Sequence, residues 1–203
     1  MDRRELLLKV SAASLGLAGT RAFASTSAPV IGGPCEGCDW VFDGLPAKPV
    51  SAARIAPADQ SGRPLVIEGV VTALGGAVAP GTIVYAYHTD DLGLYPRAGN
   101  RHGTLRGWAR TDAQGRYRFD TIRPRAYPSG DIPEHVHMHV IEPARGTYWI
   151  DDIRFTDDPL ISERNRHAAG RRGGFGLGTP EQRDGAWHIR RDIVLGRNIP
   201  GYV

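Results

Sequence analysis

Blocks of one charge, long hydrophobic runs and cysteines are all scarce in this chain of 203 residues. The 25 Lys and Arg residues stand against 22 Asp and Glu residues spread along the chain, which gives no basis for nucleic-acid binding. The apolar run near the N-terminus falls short of the roughly 17 to 20 residues that span a membrane. Phosphate-binding loops, G-x-S-x-G elbows and H-E-x-x-H helices are also missing, so the sequence lacks the signatures of those nucleotide and hydrolase sites.

The N-terminus carries the pattern of an export signal. Arg3 and Arg4 precede a mildly apolar run from Val10 to Gly19, and an A-x-A cleavage pattern follows at residues 22–24. Paired arginines before a weakly hydrophobic segment resemble a twin-arginine signal, although some flanking residues depart from its usual pattern; a general secretory signal is the alternative. We predict a signal peptide over residues 1–24 and a protein exported to the periplasm, with no membrane span in its mature form.

The two cysteines, Cys35 and Cys38, lie in a segment flanked by Gly and Pro just after the predicted signal. An oxidising compartment favours a local disulfide there. A redox-active C-x-x-C motif is the functional alternative, but it usually begins a helix after a strand, and that context is not apparent. A zinc site would need a second pair of ligands, which the sequence does not offer nearby. The sequence therefore favours a structural disulfide.

Turn-forming residues, 26 Gly and 15 Pro, separate short β-branched and aromatic runs. Residues 25–63 have little periodicity and are predicted to form an extended arm, with regular structure beginning at Pro64. The predicted strands are 64–74, 82–90, a hairpin over 105–122 with its turn at 112–115, the segment around residues 135–140, 146–155 and 187–195. These features indicate one all-β domain over 64–203, an antiparallel β-sandwich with a loop-rich stretch from residue 162 to 184.

The stretch "IPEHVHMHV" places three histidines, His135, His137 and His139, at alternate positions of a predicted strand. Alternate side chains of a strand share one face, about 7 Å apart at Cα, so two of these imidazoles can supply half of a metal site. An ordinary strand with a His-rich solvent face explains the same pattern. Tyr95 and Tyr127 fall in loops without any alternation, where packing in a strand does not account for them.

Four linked segments resemble the intradiol ring-cleavage dioxygenases, of the protocatechuate and catechol dioxygenase type, over about residues 65–160. They are "GVVTALGGAVAPGTIVYAYHTDDLGLY", "LRGWARTDAQGRYRFDTIRPRAYP", "PEHVHMHV" and "IDDIRFTDDPL". The resemblance implies the β-sandwich of that family and a mononuclear, non-haem Fe(III). Carried onto this sequence, the metal ligands are Tyr95, Tyr127, His135 and His137.

The implied chemistry suits these residue types. Fe(III) favours anionic oxygen and stabilises tyrosine as phenolate, well below its ordinary pKa of about 10. By resemblance, a catechol-like substrate binds through both oxygens and displaces Tyr127, which acts as a catalytic base. Reaction with O2 then places both oxygen atoms in a ring-opened dicarboxylic acid.

Two positions depart from the family pattern. Ile132 stands where well-studied members have an arginine thought to steer the substrate, and Asp152 stands where they have a glutamine. Compensating arginines are expected among Arg106, Arg123 and Arg125.

Because of these departures, the sequence does not identify which catechol is the substrate. They also favour a second hypothesis, a non-catalytic β-sandwich module that binds a metal or ligand on the same face. A zinc hydrolase built on the three histidines is a third, which leaves the two tyrosines unexplained. His139 is expected to support the site without binding the metal.

Overall fold

The computed structural model describes residues 29–35, 37–97, 99–167 and 171–203. The predicted signal peptide, residues 1–24, and the first residues of the arm lie outside these ranges, so export remains a prediction. Within the described ranges, no helix combines the length and the apolar character needed to cross a membrane.

Two β-sheets pack face to face, which confirms the predicted β-sandwich. One sheet has the strand order β1-β5-β2-β10-β9 with β11 beside β2, and the other has the order β4-β3-β6-β7-β8. The strands are β1 (Ala52–Arg54), β2 (Pro64–Thr72), β3 (Ile83–Tyr87), β4 (Arg106–Arg110), β5 (Arg116–Ile122), β6 (His135–Glu142), β7 (Gly146–Phe155), β8 (Leu177–Gly178), β9 (Glu181–Arg183), β10 (Ala186–Arg190) and β11 (Ile193–Val194). A 3-10 helix (Cys38–Trp40) and a short helix α1 (Glu163–Arg166) complete the described elements.

The core lies between the two sheets and consists of side chains from the inward faces of their strands. Its largest members include Leu65, Ile67, Tyr117, Phe119, Met138, Tyr148, Ile150, Ile153 and Phe155. The central pairs, such as β2 with β5 and β3 with β6, are antiparallel as predicted, but β1, β10 and β11 join their sheet in parallel. Long stretches of chain separate each of these strands from its parallel partner, β5 or β2, and such connections let a chain return in either direction.

The predicted hairpin over residues 105–122 is wrong. The turn itself forms, because the Asp112 carboxylate accepts hydrogen bonds from the backbone N–H groups of Gln114 and Arg116. However, β4 pairs with β3 in one sheet and β5 pairs with β2 in the other. A turn motif predicts that the chain reverses, but it says nothing about the partner of each strand.

Two strand limits also differ from the prediction. Regular structure begins before Pro64, since β1 pairs with β5 and the 3-10 helix follows Cys35. The last predicted strand breaks at Arg191, because that side chain turns inward and its guanidinium donates hydrogen bonds to backbone carbonyls, among them those of Asp151, Arg172 and Asp192. Neither a three-residue strand nor an inward arginine has a periodic signature.

The predicted disulfide between Cys35 and Cys38 is present. It belongs to a part of the arm that covers the outer face of the second sheet, where Val41 is fully buried against Tyr85, Tyr87 and Trp108. The indole N–H of Trp108 donates a hydrogen bond of 2.8 Å to the Val41 carbonyl. The arm thus converts the outer face of this sheet into a second, smaller core.

The three histidines of β6 share this covered outer face, as their spacing predicted. Val136, Met138 and Val140 alternate with them and enter the core between the sheets. This face is not the solvent-exposed face of an ordinary strand, because His135 and His139 are only 7% and 3% exposed. The strand therefore has one buried apolar face and one face rich in imidazole, which is buried except at His137.

Candidate metal centre

Four side-chain atoms meet above the β6 strand. Tyr95 Oη lies 2.7 Å from Tyr127 Oη and 2.9 Å from His137 Nε2. Tyr127 Oη lies 3.2 Å from His135 Nε2 and 3.4 Å from His137 Nε2. The two Nε2 atoms are 3.2 Å apart. The structure thus brings together all four residues that the sequence singled out as metal ligands.

The two imidazoles are oriented from behind by fixed acceptors. His135 Nδ1 lies 2.7 Å from the Pro133 carbonyl, and His137 Nδ1 lies 3.1 Å from Asp152 Oδ1. The register between β6 and β7 shifts at this point, so β7 has an extra residue opposite His137. Such a bulge re-aims side chains, and here it accompanies the contact of the Asp152 carboxylate with His137. Each Nε2 is left facing the phenol groups.

The loop that carries Tyr95 is held by local hydrogen bonds. The Asp90 carboxylate accepts from the backbone N–H groups of Leu92 and Leu94, which closes a tight turn. Gly93 has φ of +79°, and a Cβ there would collide with the carbonyl oxygen of Ala126. This close approach packs the loop of Tyr95 against the residue that precedes Tyr127.

An ion-pair cluster anchors the loop that carries Tyr127. Arg123 is 3% exposed and its guanidinium contacts Glu134 at 2.6 Å and Asp157 at 2.7 Å. Glu134 directly precedes His135, so the cluster closes the segment between the two proposed ligands Tyr127 and His135. Arg123, which the sequence offered as a substrate-facing arginine, is therefore engaged in holding this loop.

The electrostatics of the centre are those of neutral donors beside a carboxylate. Burial, together with the hydrogen bond to Tyr127, raises the pKa of Tyr95 well above its usual range. Burial and the neighbouring His137 lower the pKa of His135. Burial alone would raise the pKa of Asp152, but the hydrogen bond to His137 and the nearby positive groups outweigh it and lower that pKa. Only a bound cation would favour the phenolate form of Tyr95 in this setting.

The geometry fits a bound metal ion. Ligand atoms bound at about 2 Å and separated by angles of 90° to 110° lie about 2.8 to 3.3 Å apart. Five of the six separations within the cluster are given above, and they range from 2.7 Å to 3.4 Å. Two phenols and two imidazoles suit Fe(III), which combines a preference for anionic oxygen with an affinity for imidazole.

A cavity of about 720 Å³ opens beside the cluster, and Tyr95, Tyr127 and His137 line it. Its wall carries Arg101 and Arg154, which the sequence reasoning missed. Knowledge of the strand register would have pointed to Arg154, because this residue pairs with His135 in the sheet, but the sequence alone does not give that register. Aromatic side chains on the wall include Tyr87, Trp149 and Phe175.

The expected compensating arginines have other contacts. Arg106 pairs with Asp43 at 3.2 Å, and Arg125 is exposed beside the Asp91 carbonyl. Ile132 is 43% exposed in the loop before β6. The cationic groups that face the cavity therefore come from β7 and from the loop before β4. Both lie outside the ligand motif, so a comparison of that motif alone does not identify them.

His139 lies outside the four-atom cluster, on the same face of β6. Its Nε2 lies 3.6 Å from Cys35 Sγ, and burial lowers its pKa to about 3. Tyr87 separates it from the cluster, because the Tyr87 ring contacts the rings of both His137 and His139.

Comparisons with known proteins agree with this arrangement. A family model described as "Dioxygenase" matches residues 42–174. The chain is 31% identical over 113 residues to the protocatechuate 3,4-dioxygenase beta chain of Burkholderia cepacia, covering 50% of this chain and 48% of that protein. It is 32% identical over 126 residues to a chlorocatechol 1,2-dioxygenase of Pseudomonas sp. (strain P51), covering 58% of this chain and 47% of that protein.

Solved structures share the fold. The dioxygenase domain of a dioxygenase and carbohydrate-binding protein fusion from Streptomyces sp. SirexAA-E has a TM-score of 0.58 and 24% identity, over 75% of this chain and 94% of that chain. Catechol 1,2-dioxygenase from Acinetobacter sp. ADP1 has a TM-score of 0.59 and 21% identity, over 79% of this chain and 62% of that chain. The chain spans about half the length, or less, of the curated relatives it matches.

Proposed function

Since this chain belongs to the intradiol ring-cleavage dioxygenase family, we propose that it is a dioxygenase that opens the ring of a catechol-like aromatic with O2 and forms a dicarboxylic acid. The family uses non-haem Fe(III), and we propose the same mononuclear cofactor here. The observation that carries the proposal is the convergence of Tyr95, Tyr127, His135 and His137 within hydrogen-bonding distance. Export to the periplasm remains a prediction of the N-terminal sequence.

These four side chains would hold the metal through two phenol oxygens and two Nε2 atoms. When bound, Fe(III) supplies Lewis acidity toward the catechol oxygens and electronic coupling between catechol and O2. The chain supplies one half of this site from a strand and the other half from two loops. His135 and His137 are fixed on β6 by the Pro133 carbonyl and the Asp152 carboxylate, whereas both tyrosines are carried by loops.

Tyr127 is suited to accept a proton from the substrate. Its Oη lies at the cavity wall, within 3.4 Å of three other proposed ligands. This position would allow the Tyr127 oxygen to take up a proton from a catechol bound in the cavity.

The cavity wall offers both charged groups and apolar surface. Arg101 and Arg154 bring positive charge beside the carboxylates of Asp151 and Asp152, and the Trp149 and Phe175 rings add apolar surface. A catecholate combines both properties, since it has a flat ring and negatively charged oxygens.

The test is spectroscopy combined with oxygen uptake on the iron-loaded protein. We expect a visible phenolate-to-Fe(III) charge-transfer band that is lost or strongly shifted in Tyr95→Phe and Tyr127→Phe. The matched control is Tyr202→Phe, because Tyr202 hydrogen-bonds Glu142 at 3.1 Å, away from the four-atom cluster. A colourless protein that holds stoichiometric zinc contradicts the proposal.

Oxygen uptake with a panel of catechols then separates an enzyme from the second hypothesis. A coloured protein that consumes no O2 with any catechol would be the non-catalytic binding module. The presence of exposed Ile132 in place of an arginine is the feature that favours this module.

A further inference from the structure

The disulfide between Cys35 and Cys38 lies against two buried imidazoles that the proposed iron site does not use. His139 Nε2 is 3.6 Å from Cys35 Sγ. One ligand atom from each of Cys35, Cys38 and His139 lies within 4.8 Å of the other two. Within the described part of the chain, His139 Nδ1 has no hydrogen-bond partner although the side chain is 3% exposed. A buried polar atom without a hydrogen-bond partner destabilises the fold, so its presence calls for an explanation.

His102 approaches the same disulfide from another loop. Its Nδ1 is 2.8 Å from Tyr85 Oη, which leaves Nε2 directed at Gly37 between the two cysteines. A Cβ on Gly37 would collide with this Nε2, so the glycine makes the approach possible. The His102 and His139 ring centroids are 6.2 Å apart. The sequence offered no second pair of ligands for the cysteines, whereas the fold brings His139 into range of both cysteines and His102 next to the glycine between them.

We infer that Cys35, Cys38, His102 and His139 form a second metal site, for zinc or a similar borderline cation, that is available when the disulfide is reduced. Two cysteines and two histidines are a common zinc ligand set. A sulfur bound at 2.3 Å and a nitrogen bound at about 2.0 Å lie about 3.5 Å apart at a tetrahedral angle. The distance between Cys35 Sγ and His139 Nε2, 3.6 Å, matches this value.

The site opens by thiol–disulfide exchange with a small-molecule thiol. Two external thiols give up two electrons and two protons, their sulfurs join as a disulfide, and the S–S bond of Cys35 and Cys38 breaks to give two thiols. Metal binding then releases these two protons, because thiolates are the ligands. Gly37, His102 and His139 line the same cavity as the proposed iron ligands, which provides a path of entry for the ion.

Cobalt titration tests this site separately from the iron site. A thiolate-to-Co(II) charge-transfer band reports sulfur ligands alone, and the four-atom cluster contains only oxygen and nitrogen. The metal-free protein is titrated in its oxidised form and after reduction, with the reductant removed under anaerobic conditions. We expect the band only in the reduced protein, saturating at one Co(II) per chain and displaced by one equivalent of Zn(II).

Variants assign the ligands. The double variant Cys35→Ser and Cys38→Ser should lack the band, and His102→Asn and His139→Gln should each weaken Co(II) binding by about tenfold or more, or 1.4 kcal/mol. His167→Gln is the matched control, because that imidazole is 81% exposed. If His139→Gln fails to fold, as judged by circular dichroism, His102→Asn decides the assignment.

Absence of the band in reduced protein would overturn the inference. So would a band whose affinity is the same in the histidine variants that fold and in the control. Either result leaves the phenolate-to-iron band of the proposed enzyme untouched, so the two proposals fail independently.

Discussion

Replacement of Arg123 by glutamine should weaken both the fold and the proposed metal centre. The Arg123 side chain is 3% exposed and lies 4.4 Å above the Phe155 ring. It joins Glu134, at the start of the histidine strand, to Asp157, just after β7. Arg123→Gln removes these charge-assisted contacts and, among the described residues, leaves the Glu134 carboxylate, 15% exposed, with the half-exposed Arg63 as its ion-pair partner.

The magnitude follows from burial. Breaking a fully buried ion pair costs about 3 to 5 kcal/mol. Asp157 is 41% exposed, so solvent compensates for part of its loss. We therefore expect Arg123→Gln to lower the free energy of unfolding by about 2 to 3 kcal/mol. Iron retention should fall as well, since Glu134 positions the residue next to it, His135.

The assay is urea unfolding at neutral pH with Arg118→Gln as the matched control. Arg118 also pairs with a carboxylate, Asp120 at 2.7 Å, but the two side chains are 42% and 30% exposed. Its loss should cost less than about 1 kcal/mol. If the two variants unfold at the same urea concentration, Arg123 does not anchor the loop as the structure indicates.

Three further predictions concern the surroundings of the site. Asp152→Asn should lower iron affinity about 10- to 100-fold, measured by chelator competition, because His137 loses a carboxylate partner; unchanged affinity would contradict this role. Burial lowers the pKa of His88 from 6.5 to about 4, so the unfolded state takes up a proton first as the pH falls. The free energy of unfolding should therefore fall by about 3 kcal/mol as the pH drops from 6.5 to 4, and this contribution should be fully present above pH 6.5. In His88→Gln, the stability measured by urea unfolding should depend less on pH in this range. Gly93→Ala should reduce iron retention and stability far more than Gly99→Ala, since both have positive φ but a Cβ meets an atom within 4 Å only at Gly93; equal losses would point to backbone strain alone.

Part of the candidate site was predictable because two of its four proposed ligands follow a local rule. Alternation places His135 and His137 on one face of a strand whatever the strand pairs with. Tyr95 and Tyr127 were predicted through family resemblance, since loop residues have no periodic signal of their own. The β-sandwich, by contrast with the tyrosines, was predicted from the strand and turn patterns of the sequence.

What escaped prediction depends on contacts between distant parts of the chain. The partner of β4 is determined by packing across the sandwich, so the turn beside it misled the hairpin prediction. Arg154 reaches the cavity because of its register with His135, and His102 meets Gly37 only after the arm folds over the sheet. Register and docking of this kind are global properties, and local sequence patterns do not contain them.

The covered outer face explains why such a site can exist on a sandwich at all. A β-strand normally uses one face for the core and exposes the other to water. Here the arm, through Val41 and its neighbours, buries the outer face of β3 and part of that of β6, and the proposed ligand Tyr95 packs against this cluster. Low solvent access strengthens the attraction between a cation and its ligands. The arm therefore supports the proposed metal centre together with the strand that carries the histidines, and a chain without the arm should bind iron more weakly.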